Sequence, residues 1–291
     1  MNGKVSEVIE QPGAPVRTRA SEFSYSPDDF NNVRQTLYRI TGIRLADTKD
    51  AMVYSRLVRR IRALRKKSFS EYLGYLKRTP GEQQHFINAL TTNLTSFFRE
   101  PHHFSMLAQH LSVTPHVNTI WCAASSSGEE PYSIAMTVAE HFGHFNVPVK
   151  IIASDIDSNM LEKARLGVYS DQITRHLSAE RCKHFLHRGK NQHAGSVRIV
   201  PELRNMVEFR QINLTEPRWP LPRQIDVIFC RNVMIYFDKQ TQLRLLEKMV
   251  SLMPAQGLYF AGHSENFSMA PHLVRSVGNT TYQPVKGKHN G

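Results

Sequence analysis

The apolar positions of this chain change their period near residue 117. Before it they recur at helical spacing. Pro27–Ile40 follows Ser26, with Pro27 at the first helical position and Asp28 and Asp29 in the first turn, so Ser26 is the expected N-cap. Over Asp47–Lys67, the side chains of Val53, Leu57, Ile61 and Leu64 fall on one helical face. Beyond residue 117, short β-branched and aromatic runs alternate with helical segments. Strands are expected at Val117–Ala123, Val149–Ser154, Val207–Ile212, Ile225–Cys230 and Leu258–Ala261, and helices at Glu129–Phe142, Asn159–Leu166 and Lys239–Met253. Such alternation predicts an α/β fold, a parallel sheet with helices on both faces. The tail, Val274–Val285, is expected to close the sheet as an antiparallel pair.

One segment breaks the rhythm. The stretch from Leu166 to Val207 is too long for an ordinary connection. Within it, His184–Arg188 and Ser196–Val200 flank a polar turn from Gly189 to Gly195, the pattern of a hairpin. A small antiparallel β subdomain is therefore expected as an insertion at about 168–205. The remaining organisation reads as a disordered lead over 1–26, an all-α domain with its connection over 27–112, and the sheet domain over 113–291.

Composition narrows the setting. Hydrophobic residues make up 41% of the 291, and no run approaches the roughly 20 apolar residues of a membrane span. With no signal-peptide core at the N-terminus, a cytoplasmic protein without membrane insertion is expected. The three cysteines, Cys122, Cys182 and Cys230, are too dispersed for a disulfide framework or a metal site, so no metal is expected. The net charge of +12 favours an acidic partner without saying which. Much of it is concentrated on the Asp47–Lys67 helix, where Arg56, Arg59, Arg60, Arg62, Lys66 and Lys67 surround the apolar stripe. Two readings stand side by side: a surface helix whose cationic stems cover its core, or a docking face for an acidic partner.

The candidate chemistry begins at residues 121–136, "WCAASSSGEEPYSIAM". The layout is strand, turn, helix, as in a nucleotide-binding loop, but only Gly128 stands where a dinucleotide fingerprint wants three glycines. Ligands of an open α/β sheet sit at the carboxyl ends of its strands. Four such ends here carry polar groups: Ser125–Glu130, then Asp155 in "SDID", Asn213 in "INL", and Arg231 and Asn232 in "CRN". Asp155 suits ribose hydroxyls, and Glu130, favoured by the helix dipole, suits an ammonium group. Carboxylates in both places fit a cationic nucleoside without phosphates, and S-adenosylmethionine has that chemistry. The pyrophosphate of NAD would face Glu129 and Glu130. Taken singly, Asp155 is equally a turn or cap residue and Glu129 a solvated first-turn charge.

Five stretches in order, "NALTTNLTSFFRE" (88–100), "SSSGEEPYSIAM" (125–136), "ASDID" (153–157), "IFCRNVMIYFD" (228–238) and "GLYFAGHSEN" (257–266), closely resemble the bacterial chemotaxis receptor methyltransferases, the CheR family. The resemblance runs from about residue 27 to 285. It implies an all-α domain preceding a Rossmann-like methyltransferase sheet that carries a small inserted antiparallel β subdomain. It further implies methyl transfer from S-adenosyl-L-methionine to glutamate side chains of chemoreceptors, leaving S-adenosyl-L-homocysteine. Carried over by motif position, cofactor contacts are implied at Asn93, Thr95, Arg99, Glu130, Asp155, Asn213, Leu214, Arg231 and Asn232. Asn93, Thr95 and Arg99 precede the first strand, where spacing alone reads only a connection with a cap. Ser127 stands where several family members have threonine, and the hydroxyl is kept.

Methyl transfer to a carboxylate already ionised at neutral pH needs positioning and exclusion of water rather than a general base. Arg99 is the residue expected to aim the glutamate. Tyr236 is expected either to wall the site or to be a packed aromatic, and His263 to have a hydrogen-bonded structural role. The implied partner is the acidic coiled-coil methylation region of a receptor, met by Arg56, Arg59, Arg60, Arg62 and Lys66 on a monomeric enzyme. The inserted hairpin is a further candidate for binding a receptor tail. Cys122 and Cys230, on strands that the resemblance makes neighbours, are expected as buried reduced thiols lying close together. The rivals are an RNA or DNA methyltransferase, for which "RNVMIY" lacks the two prolines of amino-directed base methyltransferases, and a non-catalytic cofactor-gated adaptor. No nucleic-acid partner is therefore expected.

Overall fold

The computed structural model describes residues 22–114 and 116–286. Four helices come first: α1 (Pro27–Thr41), α2 (Asp50–Ala63), α3 (Phe69–Arg78) and α4 (Pro80–Leu90). They enclose a core of their own that includes Val33, Leu37, Val53, Leu57, Ile61 and Phe86. The Ser26 cap forms as expected: its hydroxyl accepts from the Asp29 amide at 3.2 Å, and the Asp29 carboxylate accepts from the Ser26 amide at 3.0 Å. Residues 22–26 lie on this bundle, with the Tyr25 ring tilted against that of Phe69 at a centroid distance of 4.6 Å. The rest of the expected disordered lead, 1–21, lies outside the described residues.

The basic helix is shorter than its pattern predicts. Asp47–Lys49 form a single 3₁₀ turn, and α2 ends at Ala63. Arg65 takes a left-handed φ of 52° and the Lys66 amide turns back to the Ile61 carbonyl at 2.9 Å, so Lys66 and Lys67 fall outside the helix. The stripe is as read, with Val53, Leu57 and Ile61 fully buried, each contributing about 1.5–3 kcal/mol. The self-repulsion of the cations is relieved by partners outside the helix. Arg60 makes a bidentate pair with Glu82, both bonds 2.6 Å, and Glu82 is only 2% exposed. Arg62 pairs with Glu22, and Lys66 lies 3.6 Å from Glu71 and over the Tyr75 ring. Arg56 donates to the Thr91 carbonyl at 2.7 Å. Arg59 is exposed and forms no ion pair among the described residues.

After α5 (His102–Val113) the chain builds its sheet from β1 (Thr119–Ala123), β2 (Lys150–Asp155), β6 (Val207–Gln211), β7 (Val227–Cys230) and β8 (Leu258–Ala261), all parallel. The final pair, β9 (Val274–Gly278) and β10 (Thr281–Pro284), adds to β8 antiparallel, giving the order β6-β2-β1-β7-β8-β10-β9. Strand alternation splits the core in two. Ile120, Cys122, Phe229 and Phe260 face the side covered by α5 and α6 (Glu129–Phe142), while Trp121, Cys230, Tyr259 and Ala261 face α10 (Lys239–Ser251). Hence Cys122 and Cys230, on hydrogen-bonded neighbouring strands, project from opposite faces. Both are buried, but the expected proximity of their thiols does not occur.

Between α7 (Ser158–Leu166) and β6 stands the insertion. Its β4 (Leu186–Arg188) and β5 (Ser196–Ile199) form the expected hairpin. A third strand, β3 (Val168–Ser170), pairs with the other edge of β5, and α8 (Ala179–Phe185) precedes β4. Sequence pattern showed neither, because each is too short to display a period. The helix α9 (Pro201–Asn205) returns the chain to the sheet.

Candidate cofactor site

β1 pairs with β2 on one side and β7 on the other, so the chain reverses direction across the sheet between β1 and β7. At that switch point the loops after the two strands part and leave a cleft. It contains about 970 Å³ of space, mouth included, and its lining takes in Asn93, Thr95, Arg99, Glu130, Asp155, Asn213, Leu214, Arg231, Asn232 and Tyr236. The residues implied for the cofactor are thus brought together with Tyr236 in one place. Thr41, Ile43, Leu45 and Leu90 of the helical bundle also line it. Nothing in their sequence pattern distinguishes them from core.

The loop after β1 is folded for a purpose other than phosphate binding. Ala124, Ser126 and Gly128 take left-handed φ values of 60°, 49° and 101°. Only glycine fits at 128, where a Cβ would come within 2.8 Å of both Ala164 Cβ and the Tyr169 hydroxyl. The Ser126 amide, in the position of a phosphate-binding donor, donates instead to Asp155 Oδ2 at 2.7 Å. Asp155 Oδ1 accepts from the Asp157 amide at 2.8 Å. Burial pushes the Asp155 carboxyl up to about 6, against the pull of these amide hydrogen bonds. Each oxygen retains acceptor capacity toward the cleft.

Glu129 corrects the expectation of a solvated charge. It is 6% exposed and accepts from the Ser127 hydroxyl at 2.7 Å. Glu130, in the first turn of α6, joins loops from two strands. Its Oε2 is 2.5 Å from Arg231 Nη1, and its Oε1 accepts from the Cys122 thiol at 3.3 Å. The Arg231 side chain is wholly inaccessible. Its Nη2 donates to the Arg99 carbonyl at 2.5 Å and lies 3.3 Å from Glu100 Oε2, while its Nε has no protein partner.

Glu100 was not singled out by sequence reasoning, nor was His103, whose Nδ1 lies 3.6 Å from Glu100 and whose burial pushes its pKa down to about 4. With His102 they form a grouping of metal-ligand type, its donor atoms within 4.8 Å of one another. The Arg231 guanidinium already supplies the cation there. His263 is hydrogen-bonded, as expected: its amide donates to Glu100 and its ring contacts Ser264, although the side chain is mostly exposed.

Three further acids and amides organise the walls. Asp157 caps α7 through the amides of Asn159 and Met160, and its other oxygen accepts from Thr91 Oγ1 at 2.6 Å and Asn93 Nδ2 at 2.8 Å. The segment before the first strand is tied onto the sheet in this way. The Asn213 side-chain amide is spent within the chain, donating to the Ile40 carbonyl and accepting from Thr215, and its backbone carbonyl accepts from the Glu216 amide at 3.1 Å. Glu265, missed although it lies in "GHSEN", accepts from the amides of Val233, Met234 and Gly262 at 2.6–2.9 Å, and burial raises its pKa. It fixes the turn on which Asn232 sits at φ 57°.

The donor set fits S-adenosylmethionine. Two buried carboxylates face the cleft, Arg231 Nε lacks a partner beside them, and the Ser126 amide is already spent on Asp155.

Residues 28–91 match the family described as "CheR methyltransferase, all-alpha domain", and residues 93–283 match "CheR methyltransferase, SAM binding domain". The chain is 58% identical over 267 residues to "Chemotaxis protein methyltransferase 2" of Pseudomonas aeruginosa, covering 91% of this chain and 95% of that protein. It is 49% identical over 264 residues to "Chemotaxis protein methyltransferase" of Salmonella typhimurium, covering 89% and 91%. The protein of the same name from Escherichia coli is 47% identical over 255 residues, covering 87% and 89%.

Proposed function

This chain belongs to the CheR family of chemotaxis methyltransferases, and from that premise we propose that it methylates glutamate side chains of bacterial chemoreceptors, forming glutamate methyl esters. The observation that carries the reading is the single cleft in which Glu130, Asp155 and Arg231 meet the 91–95 segment and Arg99.

S-Adenosylmethionine supplies a methyl group activated on a positively charged sulfur. Everything else falls to the chain. Asp155 accepts the ribose hydroxyls, its position fixed by the Ser126 and Asp157 amides. Glu130 takes the ammonium group, and Arg231 holds Glu130 while balancing its charge. Asn213 and Leu214 contribute backbone and apolar surface, and Asn93, Thr95 and Asn232 complete the lining. Arg99, half-exposed at the mouth, aims the acceptor carboxylate by charge-assisted hydrogen bonds. Tyr236 walls the reacting centre against water. The acceptor is ionised at neutral pH, so no base is required. Catalysis is a matter of alignment and dryness.

The receptor's acidic methylation region docks on the α2 face. Arg59 is free to meet it, with Arg62 and Lys66 at the edge, while Arg56 and Arg60 are turned toward partners within the chain. An edge of the inserted sheet pairs with an extended receptor tail. The enzyme acts in the cytoplasm as a monomer, and no helix among the described residues is long and apolar enough to cross a membrane.

The test is transfer of labelled methyl from S-adenosylmethionine to receptor-containing membranes, with RNA offered in parallel. The expected result is alkali-labile label on the receptor, released as methanol. Label on RNA, or stable label on the receptor, would refute the proposal.

A further inference from the structure

Leu94 is 83% exposed, the most exposed large apolar side chain among the described residues. An isolated surface leucine needs no explanation, but this one occupies an unusual position. The segment Thr91–Leu94 is a strap between two recesses. On one side is the cofactor cleft. On the other is a recess lined by Arg56, Arg59, His85 and Asn88 of α2 and α4, and the four strap residues line both.

The strap is held on every side by polar bonds. Arg56 donates to the Thr91 carbonyl, Thr91 and Asn93 side chains donate to Asp157, the Ser126 hydroxyl donates to the Asn93 carbonyl at 3.0 Å, and Arg99 donates to the Leu94 carbonyl at 3.2 Å. A backbone so fixed presents the Leu94 side chain outward in a set position, at small further entropic cost on burial.

We propose that Leu94 is the apolar seat for the receptor helix that carries the acceptor glutamate, and that it helps select which glutamates are modified. The inference rests on the glutamate-methylation reading above. Residues three or four apart share one face of a helix. With the acceptor glutamate reaching into the cleft beside Arg99, the side chain one turn away covers Leu94, and one turn further lies over Arg59 and His85. Charge complementarity of the second recess commits the occupant to an acidic helix rather than a neutral one.

The test compares wild type with Leu94→Ala, Leu94→Met and Leu94→Asp on intact receptor in membranes, measuring KM and kcat for receptor and, by calorimetry, the Kd for S-adenosylmethionine. Leu94→Ala is expected to raise the receptor KM about tenfold, the scale set by burying one leucine, with kcat and cofactor Kd within about twofold. Leu94→Met should be near wild type, and Leu94→Asp worse than Leu94→Ala. An unchanged KM in Leu94→Ala, beside a wild type that does form methyl esters, overturns this inference alone. So does a parallel loss of cofactor affinity, which would make Leu94 part of the cofactor wall. A wild type that places no alkali-labile methyl on receptor overturns the functional reading and this inference with it.

Discussion

Replacing Arg231 by methionine removes a guanidinium from a site that no solvent reaches. Its Nη1 lies 2.5 Å from Glu130 Oε2, and its Nη2 contacts both Glu100 and the Arg99 carbonyl. Methionine fills much of the volume but leaves two carboxylates in the interior without their cation. Breaking one partner of a buried pair costs about 3–5 kcal/mol, because the remaining charge stays desolvated. Glu130→Gln is milder. It keeps the shape, and Arg231 retains Glu100 and the Arg99 carbonyl, so about 1–3 kcal/mol is expected. In the double variant only Glu100 remains uncompensated, and the total should fall short of the sum of the single effects by about 1–3 kcal/mol. Equilibrium unfolding in urea, followed by tryptophan fluorescence, measures this. The fully buried Trp121 donates to Ser154 Oγ at 2.9 Å and lies 5.0 Å from Trp219, so its emission reports the sheet that carries the cleft. The urea slope should not change, since the same surface unfolds. Single effects that add to within about 0.5 kcal/mol would refute the claim that the switch-point ion pair couples the two loops.

Asp155→Ala should weaken S-adenosylmethionine binding by about 1–3 kcal/mol, read by calorimetry, and unchanged affinity in a folded variant would remove it from the site. Since burial raises the Asp155 carboxyl to about 6 and ribose hydroxyls need the ionised form, wild-type affinity should fall by up to about tenfold per pH unit below 6. Asp155→Asn should bind weakly with no such slope. Arg59→Glu with Arg62→Glu should raise the receptor KM without changing cofactor affinity, and the wild-type rate at low receptor should decline with salt; indifference to both would leave α2 a solvated face. Deleting the Gly189–Gly195 turn should spare cofactor binding and slow methylation only of receptors that carry a tail, whereas equal loss on tailless receptors would indicate a folding role. A thiol reagent should label Cys182 alone in the native protein, because Cys122 and Cys230 are buried on opposite faces; rapid labelling of either would contradict the register of β1 and β7.

The sheet was legible because a buried parallel strand has no choice but to be apolar on both sides, and Ile120–Ala123 or Val227–Cys230 can be little else. Strand-end acids were legible for a related reason: Asp155 and Glu130 follow such runs immediately. What spacing did not reveal depends on contacts between distant segments. "TTNLTSFFRE" reads as a connection because its meaning lies in Asp157, more than sixty residues later. Glu82 and Glu22, which relieve the cations of α2, are likewise remote from it in sequence. The family resemblance supplied Asn93, Thr95 and Arg99, but not Glu100, Glu265 or the bundle residues that line the cleft. The inserted subdomain was legible as a hairpin but not as three strands, since a strand of three residues carries no period.

The family boundary falls between residues 91 and 93, through the middle of the strap. On one side of that cut lie Thr41, Ile43, Leu45 and Leu90, on the other Glu130, Asp155 and Arg231, and all of them line a single cleft. Two segments that match separate family descriptions therefore line one cleft. A sheet domain expressed alone from residue 93 would keep the carboxylates yet lose a wall, the Thr91 hydroxyl on Asp157 and the Arg56 bond that seats the strap. If the cleft is the cofactor site proposed above, the catalytic unit is the pair of modules, joined where both line it.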